Sequence, residues 1–390
     1  MPKQTGMRIL IINYEYPPIG GGSSTATAEM AARAARAGHE VTVLTSRFAD
    51  LPRSELLNGH TVKRIPAVRL SASRCSVPEM ITFIISAVPS AVRLAGSFRP
   101  DLVWAVNGIP SGPVALALNR LRGIRYIVLL RAAEVPGFLS EKLAIYHRLS
   151  MPLTRAIWLN AAAVTTNSQG LKELALKTTP ELEIDVIPNA VDTERFSPSG
   201  RRKPGRSVRV TFLGRLSPQK GVSYLLDALS RMAPGPSRAF HLDVYGDGPE
   251  RKSLLRQAER LALTEKVTFR GWIPRNKVPA VLRSSDVFVL PSLGEGMSNS
   301  LLEAMATGLA VIATDVAGSE ELIADGKNGL LIPPRDVPAL ERALVRLIDS
   351  QALRHRLGAA ARESALRNLS WEAVTRRYLD LSQKALRALS

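Results

Sequence analysis

The segment VFVLPSLGEGMSNSLLEAMATGLAVIA, residues 287–313, contains the clearest indication of the fold. Its short apolar ends, Val287–Leu290 and Ala310–Ala313, predict two buried strands, and Ser300–Thr307 between them predicts a helix. A helix that joins two such strands returns the chain to its starting edge, so the strands are predicted to be parallel. Parallel sheets bind ligands beyond the carboxyl ends of their strands, which directs attention to the loop after Leu290.

The same alternation of short strands and helices runs through the rest of the chain. One series begins at Arg8–Asn13, and a second follows the polar, turn-rich segment 196–207, which predicts a linker. We therefore predict an α/β protein with two parallel-sheet domains in tandem, 1–190 and 191–370, followed by a helix within 371–390.

Composition and charge restrict the class of protein. The 390 residues are 45% hydrophobic and 22% charged, the balance of a soluble globular chain. The single cysteine, Cys75, excludes an intramolecular disulfide and a multi-cysteine metal site, and a reducing compartment is expected. The net charge of +18 favours polyanionic partners such as lipid headgroups, nucleic acid or phosphorylated small molecules, but a solvated basic surface explains it equally well.

No segment is predicted to cross a membrane. The longest apolar stretch, Met80–Val92, has 13 residues and contains Pro89, whereas a span needs about 20. We expect a buried or an interfacial helix there. The N-terminal apolar run, Ile9–Ile12, is too short for a signal peptide, so a cytoplasmic protein is expected.

Three consecutive glycines, Gly20, Gly21 and Gly22, lie between the first strand and the first helix. Glycine lets a ligand approach the backbone closely, and the helix N-terminus behind it favours an anion. The glycines do not form the dinucleotide-binding fingerprint, and a glycine turn without a ligand also explains them.

A second loop, FLGRLSPQKG (212–221), follows the first strand of the second domain. Gly214 frees the turn, and Arg215 and Lys220 place two cations in front of a helix, which suits a pyrophosphate. Taken alone, the two cations are more simply explained as solvated side chains.

The third loop belongs to the segment 287–313. Glu295 and Glu303 lie eight residues apart, one in a glycine-flanked loop and the other in the first turn of the predicted helix. The loop amides near Met297–Ser300 suit a phosphate, and the carboxylates suit sugar hydroxyls on either side of it. For Glu303 a capping box with Ser300 is an equally good explanation, but it leaves the Gly-Glu-Gly loop unexplained.

Motifs for metal binding and for several other chemistries are missing from the sequence. No D-x-D occurs, the five histidines form no metal-spaced pair, and neither a phosphate-loop nor a nucleophile-elbow motif is present. No protein-bound metal is therefore predicted.

At these loops the chain resembles the family-4 retaining glycosyltransferases of the GT-B fold. The matching segments are NYEYPPIGGG (13–22), AGHEVTVLTS (37–46), PNAVDTERF (188–196), GRLSPQKG (214–221), YGDGPE (245–250), RGWIP (270–274), the run from Ser285 to Ile323, and DGKNGLLIPP (325–334). The resemblance implies two Rossmann-like domains with a deep cleft between them. It also implies that the last helix, Trp371–Leu389, packs back on the first domain.

The resemblance further implies roles for individual residues. Arg215 and Lys220 would bind the diphosphate of a nucleotide-sugar donor and Glu295 its sugar, and these three would be the catalytic groups. Glu303 would hold the ribose, and the backbone of Gly271–Ile273 would meet the base. The full donor-binding set would be Gly214, Arg215, Lys220, Gly271, Trp272, Ile273, Glu295, Gly296, Met297, Ser298, Asn299 and Glu303. The acceptor side of the cleft would contain Gly20, Gly21, Gly22, Asn107, Arg131 and Glu134.

Three positions depart from the family pattern, all in or near the first domain's side of the cleft. No histidine follows the strand at 101–107, Arg131-Ala132-Ala133-Glu134 replaces the usual R-G-x-D, and Ala190 stands where glycine is usual. These departures bear on the acceptor more than on the donor.

The sequence therefore predicts a metal-independent retaining hexosyltransferase that moves a sugar from a nucleotide-diphosphate sugar to a saccharide or lipid-linked acceptor, in envelope or secreted polysaccharide synthesis. It would need no cofactor besides that co-substrate. The expected partners are the donor, the acceptor and an anionic membrane surface, not nucleic acid, with the protein cytoplasmic or peripheral on the inner face of the plasma membrane. The alternatives are a non-hydrolysing nucleotide-sugar epimerase and an inactive nucleotide-sugar-binding module.

Overall fold

A computed structural model describes residues 6–71, 75–131, 134–137, 144–198, 207–232 and 239–387. The chain forms two compact units, residues 1–188 with 374–390 (unit 1) and residues 189–373 (unit 2). The division therefore falls after Pro188, whereas the sequence placed it after residue 190. Most of the predicted linker, as well as Ala132 and Ala133, lies outside the described residues.

Unit 1 is built on an eight-stranded sheet. Its strands are β1 (Arg8–Ile12), β2 (Glu40–Ser46), β3 (Ser54–Leu57), β4 (His60–Ile65), β5 (Leu102–Val106), β6 (Arg125–Leu129), β7 (Ala163–Thr166) and β8 (Ile184–Val186). They lie in the order β3-β4-β2-β1-β5-β6-β7-β8, and all pair in parallel except β3, which is antiparallel to β4. β3 is joined to β4 by Asn58-Gly59, a typical hairpin turn.

The helices of this unit connect the strands on both sides of a switch point. They are α1 (Gly22–Arg36), α2 (Val77–Phe98), α3 (Gly108–Arg122), α4 (Ala144–Leu159) and α5 (Gln169–Thr178). β1 and β5 are neighbours, but β2 lies on the far side of β1 and β6 on the far side of β5. Open α/β sheets form their ligand-binding crevice at such a point, beyond the carboxyl ends of the strands.

Helix α2 is much longer than the 13-residue stretch that predicted it. The backbone N–H and the hydroxyl of Ser76 both donate to Glu79 Oε2 at 2.6 Å, and the helix continues past Pro89 and Arg93 to Phe98. With 22 residues it is the one helix in the described part of the chain that is long and apolar enough to cross a membrane. The expectation that no segment reaches that length was wrong, because Arg93 interrupts the apolar run without ending the helix.

Unit 2 is built on a six-stranded, fully parallel sheet. Its strands are β9 (Val208–Leu213), β10 (Phe240–Tyr245), β11 (Val267–Gly271), β12 (Val287–Leu290), β13 (Ala310–Thr314) and β14 (Leu330–Ile332), in the order β11-β10-β9-β12-β13-β14. Its helices are α6 (Val222–Arg231), α7 (Arg251–Arg260), α8 (Val278–Arg283), α9 (Asn299–Ala306), α10 (Val337–Asp349) and α11 (Gln351–Ser364). This strand order is that of the Rossmann fold, with its switch point between β9 and β12.

The last helix, α12 (Trp371–Arg387), belongs to unit 1 from Val374 onward. Trp104, buried in β5, donates from Nε1 to Ser382 Oγ at 2.9 Å. Arg125, at the start of β6, donates to two carbonyl oxygens in the last turn of α12 at 2.6 and 2.8 Å, where a cation suits the negative end of the helix. These bonds tie α12 to the sheet of unit 1.

Candidate active site

Two loops of unit 2 meet at its switch point, because β9 and β12 are neighbours and parallel. The loop at 214–221 follows β9 and the loop at 291–298 follows β12. Leu293 N donates to Gln219 O at 2.7 Å, and Gln219 Nε2 donates to Gly294 O at 2.8 Å. Gly221 has a φ of +63°, and a Cβ there would lie 2.1 Å from Pro291 O, so only glycine allows this approach.

Lys220 and Glu295, which the resemblance assigns to different parts of the donor, are bound to each other. Lys220 Nζ forms an ion pair with Glu295 Oε2, and Ser292 Oγ donates to the same oxygen at 3.2 Å. The two side chains are mostly buried, with exposed fractions of 17% and 15%. The pair therefore joins the two loops and neutralises one of the two predicted diphosphate cations.

The charged side chain of Arg215 is accessible to a ligand. Its side chain is exposed, and no ion pair joins it to another residue in the described part of the chain. The backbone at Gly214 packs directly against Gly246, since a Cβ on Gly246 would lie 1.8 Å from Gly214 O. Arg215 therefore projects from a supported loop as the unneutralised cation of the switch point.

The 294–299 segment is supported by two residues that the sequence analysis did not select. Asn189 N donates to the sulfur of the buried Met297 at 3.0 Å, and Asn189 Nδ2 lies 3.5 Å from Asn299 Oδ1. Gly318 has a φ of +83°, and a Cβ there would lie 1.4 Å from Gly296 O. Asn189 lies in PNAVDTERF and Gly318 in the run from Ser285 to Ile323, two of the segments that match the family. Their position in these segments is the feature of the sequence by which they could have been selected.

The N-terminus of α9 has no side-chain cap. Ser298 occupies the N-cap position, but its hydroxyl shares a hydrogen bond of 3.0 Å with Ser300 Oγ instead of accepting from a helix amide. Open N–H groups at the start of a helix are suited to an anion. The start of α9 and Arg215 thus place donors for an anion on the two neighbouring loops.

Glu303 lies in the second turn of α9, so its predicted place in a capping box was wrong. The helix begins at Asn299, and Ser300 is already its second residue. The Glu303 side chain is instead buried, with Oε1 3.8 Å from Nη2 of Arg275. Burial raises the pKa of Glu303 to about 7, although Arg275 and Arg195 oppose the shift.

We expect this burial to appear in the pH dependence of stability. The native carboxyl keeps its proton to about pH 7, whereas the unfolded one releases it near pH 4.5. The free energy of unfolding therefore falls as the pH rises through this window, by up to about 3 kcal/mol relative to Glu303→Gln. Urea titrations of both proteins across the window measure the difference. Parallel pH profiles would contradict the burial.

The segment predicted to meet the base ends strand β11. Gly271 has a φ of +74°, and its carbonyl accepts from Gly246 N at 2.8 Å. Trp272 is 73% exposed, whereas Ile273 packs against the core. Arg275, four residues beyond Gly271, contacts Glu303, so this segment and the predicted ribose carboxylate lie at the same edge of the sheet.

In unit 1 the glycine loop lies beside its own switch point. Gly20 has a φ of +92°, and a Cβ there would lie 2.5 Å from Glu15. Helix α1 begins at Gly22 with Gly21 as N-cap. Asn107, between β5 and α3 with a φ of +68°, donates to Ser23 Oγ at 3.1 Å. The structure therefore brings Asn107 to the start of the α1 helix, as the acceptor-side assignment requires.

Arg131 and Glu134 have local partners in unit 1. Arg131 N donates to Glu134 Oε1, and the guanidinium lies 5.9 Å from the ring centroid of Tyr378. Arg131 Nη2 also lies 3.7 Å from Met30 Sδ. These contacts give Arg131 a packing role between α1 and α12. The third departure from the family pattern, Ala190, does not have a positive φ and so carries no backbone strain.

Among the described residues, no group of three or more His, Cys, Asp or Glu side chains is arranged to hold a metal ion. The polar groups at the switch point of unit 2 are two cations, two carboxylates and backbone amides. This set suits an anionic, hydroxyl-bearing ligand.

Comparisons with known proteins match both units. Residues 20–195 match the family described as Glycosyltransferase Family 4, and residues 207–350 match Glycosyl transferases group 1. A 2-deoxystreptamine glucosyltransferase of Streptomyces kanamyceticus is 28% identical, covering 80% of this chain and 85% of the relative. A GDP-mannose-dependent α-(1-6)-phosphatidylinositol monomannoside mannosyltransferase of Mycolicibacterium smegmatis is 28% identical, covering 96% and 97%. The structure of Anabaena Alr3699/HepE in complex with UDP has a TM-score of 0.72 at 19% identity, covering 97% of this chain and all of the other.

Two Rossmann-like units, together with these matches, define a glycosyltransferase of the GT-B class. Within that class, the chain belongs to the family-4-type glycosyltransferases. Its activity is sugar transfer, and neither the epimerase nor the inactive binding module is favoured.

Proposed function

We propose that the protein transfers a hexose, with retention of configuration and without a metal, from a nucleotide-diphosphate sugar to a saccharide or lipid-linked acceptor. The observation that carries this proposal is the arrangement at the switch point of unit 2. There Arg215 is unneutralised, Lys220 is paired with Glu295, and the start of α9 is uncapped. The HepE structure with UDP supports a nucleotide-sugar donor.

The leaving diphosphate gains negative charge as the bond to the sugar breaks. Arg215 and the amides at the start of α9 stabilise that charge, since fixed donors need no reorganisation during the reaction. Lys220 contributes a second cation when its contact with Glu295 is shared with the diphosphate. The two cations thereby take the part that a divalent metal plays in other transferases.

Glu295 binds the donor sugar and does not attack it. Its carboxylate is held by Lys220 and Ser292, which lowers its nucleophilicity and keeps it as an acceptor for sugar hydroxyls. With no carboxylate free for a covalent intermediate among the predicted catalytic groups, the acceptor attacks from the face that the diphosphate leaves. That geometry retains the configuration of the sugar carbon.

Glu303 binds the ribose in its ionised form. A carboxylate accepts hydrogen bonds from hydroxyls better than its protonated form does, so nucleotide binding lowers the raised pKa and releases a proton near neutral pH. The exposed ring of Trp272 stacks on the base beside the backbone of Gly271. Glu303→Gln therefore folds normally but binds the donor poorly.

We place the reaction in the cytoplasm, in the synthesis of an envelope or secreted polysaccharide. A single cysteine, Cys75, suits a reducing compartment. The names of the two relatives give different acceptors, 2-deoxystreptamine and a phosphatidylinositol monomannoside. We therefore keep both a saccharide and a lipid-linked acceptor in the proposal, and nucleic acid is not a partner.

The test begins with nucleotide sugars that raise the melting temperature, because a ligand of the native state stabilises it. A donor found in this way is then incubated with saccharide and lipid-linked acceptors, with and without EDTA. We expect a glycoside whose anomeric configuration, assigned by NMR, is that of the donor, at a rate that EDTA does not change. An inverted product, or loss of activity in EDTA that added Mg²⁺ restores, would overturn the corresponding part of the proposal.

A further inference from the structure

One face of α2 is apolar and uncovered. Pro78, Ile81, Ile85 and Pro89 follow one another at helical spacing and are exposed, Ile81 by 51% and Ile85 by 68%. Only 22% of the most apolar 18-residue window of α2 is buried. Crossover helices of α/β sheets turn their apolar residues to the sheet, so this exposed stripe calls for a partner outside the chain.

The segment after β4 extends the apolar surface. Val68 and Leu70 are 56% and 85% exposed. Their backbone N–H groups donate to α2 side chains, Val68 to Thr82 Oγ1 at 3.0 Å and Leu70 to Glu79 Oε1 at 2.7 Å. We call the surface formed by Val68, Leu70, Ile81 and Ile85 the α2 face. A groove of about 490 Å³ lies beside it, lined by Arg47, Ala49, Pro66, Ala67, Val68, Thr82 and Ser86.

Two arginine side chains lie beside the α2 face. Glu79, the one carboxylate in α2, is buried and bound to Ser76 and to the amide of Leu70. Arg93 is exposed one turn beyond Pro89 on the same stripe, and Arg47 lines the groove. An apolar helix face bordered by arginines, in a chain of net charge +18, complements a bilayer with anionic headgroups.

The topology excludes a membrane-spanning α2. The helix connects β4 to β5, and both are parallel strands of the same sheet. A spanning helix would carry β5 to the other side of the membrane and divide the sheet. The 22 residues, about 33 Å long, therefore have the length of a span but can contact a bilayer only along one side of the helix.

The α2 face is tied to the glycine loop of unit 1. Arg69, between Val68 and Leu70, forms an ion pair of 3.1 Å with Glu15, and both side chains are nearly buried. Glu15 in turn packs against Gly20, where a Cβ would lie 2.5 Å away. The residues that would touch a membrane are thus two contacts from the loop assigned to the acceptor.

We propose that the α2 face binds the headgroup region of an anionic bilayer and holds the Gly20–Gly22 loop next to it, so that the acceptor is a lipid-linked saccharide in that bilayer. The bilayer contact stands on the α2 face alone, whereas the class of acceptor rests on the proposed function.

The experiment measures co-sedimentation of the full-length protein with phosphatidylcholine vesicles and with mixed phosphatidylcholine–phosphatidylglycerol vesicles. We expect binding to the mixed vesicles that weakens between about 0.1 M and about 1 M salt, as the Debye length shrinks. The double variant Ile81→Glu/Ile85→Glu is expected to bind roughly tenfold less tightly or weaker still. The matched control is Leu121→Glu, which changes a side chain 63% exposed in the last turn of α3, outside the α2 face.

Nucleotide-sugar binding is measured in the same preparations, which separates this inference from the proposed function. Loss of vesicle binding in the double variant alone, with donor binding unchanged in all three proteins, supports the inference. If the wild-type protein binds the donor but co-sediments with neither vesicle type, the membrane contact is overturned and the proposed function is not. Self-association of the wild type that the double variant abolishes, without vesicle binding, assigns the α2 face to a second copy of the chain and also overturns it.

Discussion

Arg215→Ala is expected to weaken nucleotide-sugar binding roughly tenfold to hundredfold while the protein stays folded. The side chain is exposed and has no ion pair within the described chain, so its removal disturbs no internal contact. What is lost is a charge-assisted bond to the diphosphate, worth about 1.5–3 kcal/mol. Isothermal titration calorimetry gives the affinity, and the melting temperature without ligand gives the stability.

Lys220→Ala is expected to weaken binding as strongly and to lower stability as well. Its removal leaves the Glu295 carboxylate only 15% exposed and without its cation. The double variant Lys220→Ala/Glu295→Gln removes that unpaired charge, so it recovers stability without recovering affinity. This non-additivity is the signature of a coupled pair.

Arg256→Ala is the matched control, because Arg256 is exposed on α7 and lies outside both switch-point loops. It should bind the donor as the wild type does. Wild-type affinity in both Arg215→Ala and Lys220→Ala would remove the diphosphate assignment. If the changes in the free energy of unfolding caused by Lys220→Ala and Glu295→Gln add up in the double variant, the two residues are not coupled. The diphosphate assignment would not be affected by that result.

Gly318→Ala is expected to lower the free energy of unfolding by about 3 kcal/mol or more and to abolish measurable donor binding. A methyl group at Gly318 would lie 1.4 Å from Gly296 O, and the φ of +83° disfavours any side chain there. The overlap is with backbone, so no side-chain rotation relieves it. The Gly296–Met297 segment must move, and with it the start of α9.

The comparison variant is Gly294→Ala in the same loop. A Cβ at Gly294 would meet no atom within 4 Å, and the residue does not have a positive φ. Urea titration should therefore place Gly294→Ala within about 1 kcal/mol of the wild type. Equal free energies of unfolding for the two alanine variants would show that the close approach of Gly318 to Gly296 does not contribute to stability.

Local sequence patterns are enough to predict the two α/β units and the loops that carry charge. Short β-branched runs such as Val287–Leu290, separated by helices, predict parallel strands because the periodicity is local and each helix must bring the chain back. The motifs at Arg215–Lys220 and Glu295–Glu303 were found for the same reason, since both follow strands. Local pattern also suggested a capping box for Glu303, and this was wrong because α9 begins two residues too early for Ser300 to be its N-cap.

Which of these charges remain available to a ligand depends on contacts between distant segments. Lys220 and Glu295 are 75 positions apart, and they meet because β9 and β12 are neighbours in the sheet. Burial of Glu303, and with it the raised pKa, depends on the core under α9. The exposed apolar side of α2 likewise depends on where β4 and β5 lie. Periodicity is a property of neighbouring residues, whereas neutralisation and burial depend on distant segments that packing of the whole sheet brings together.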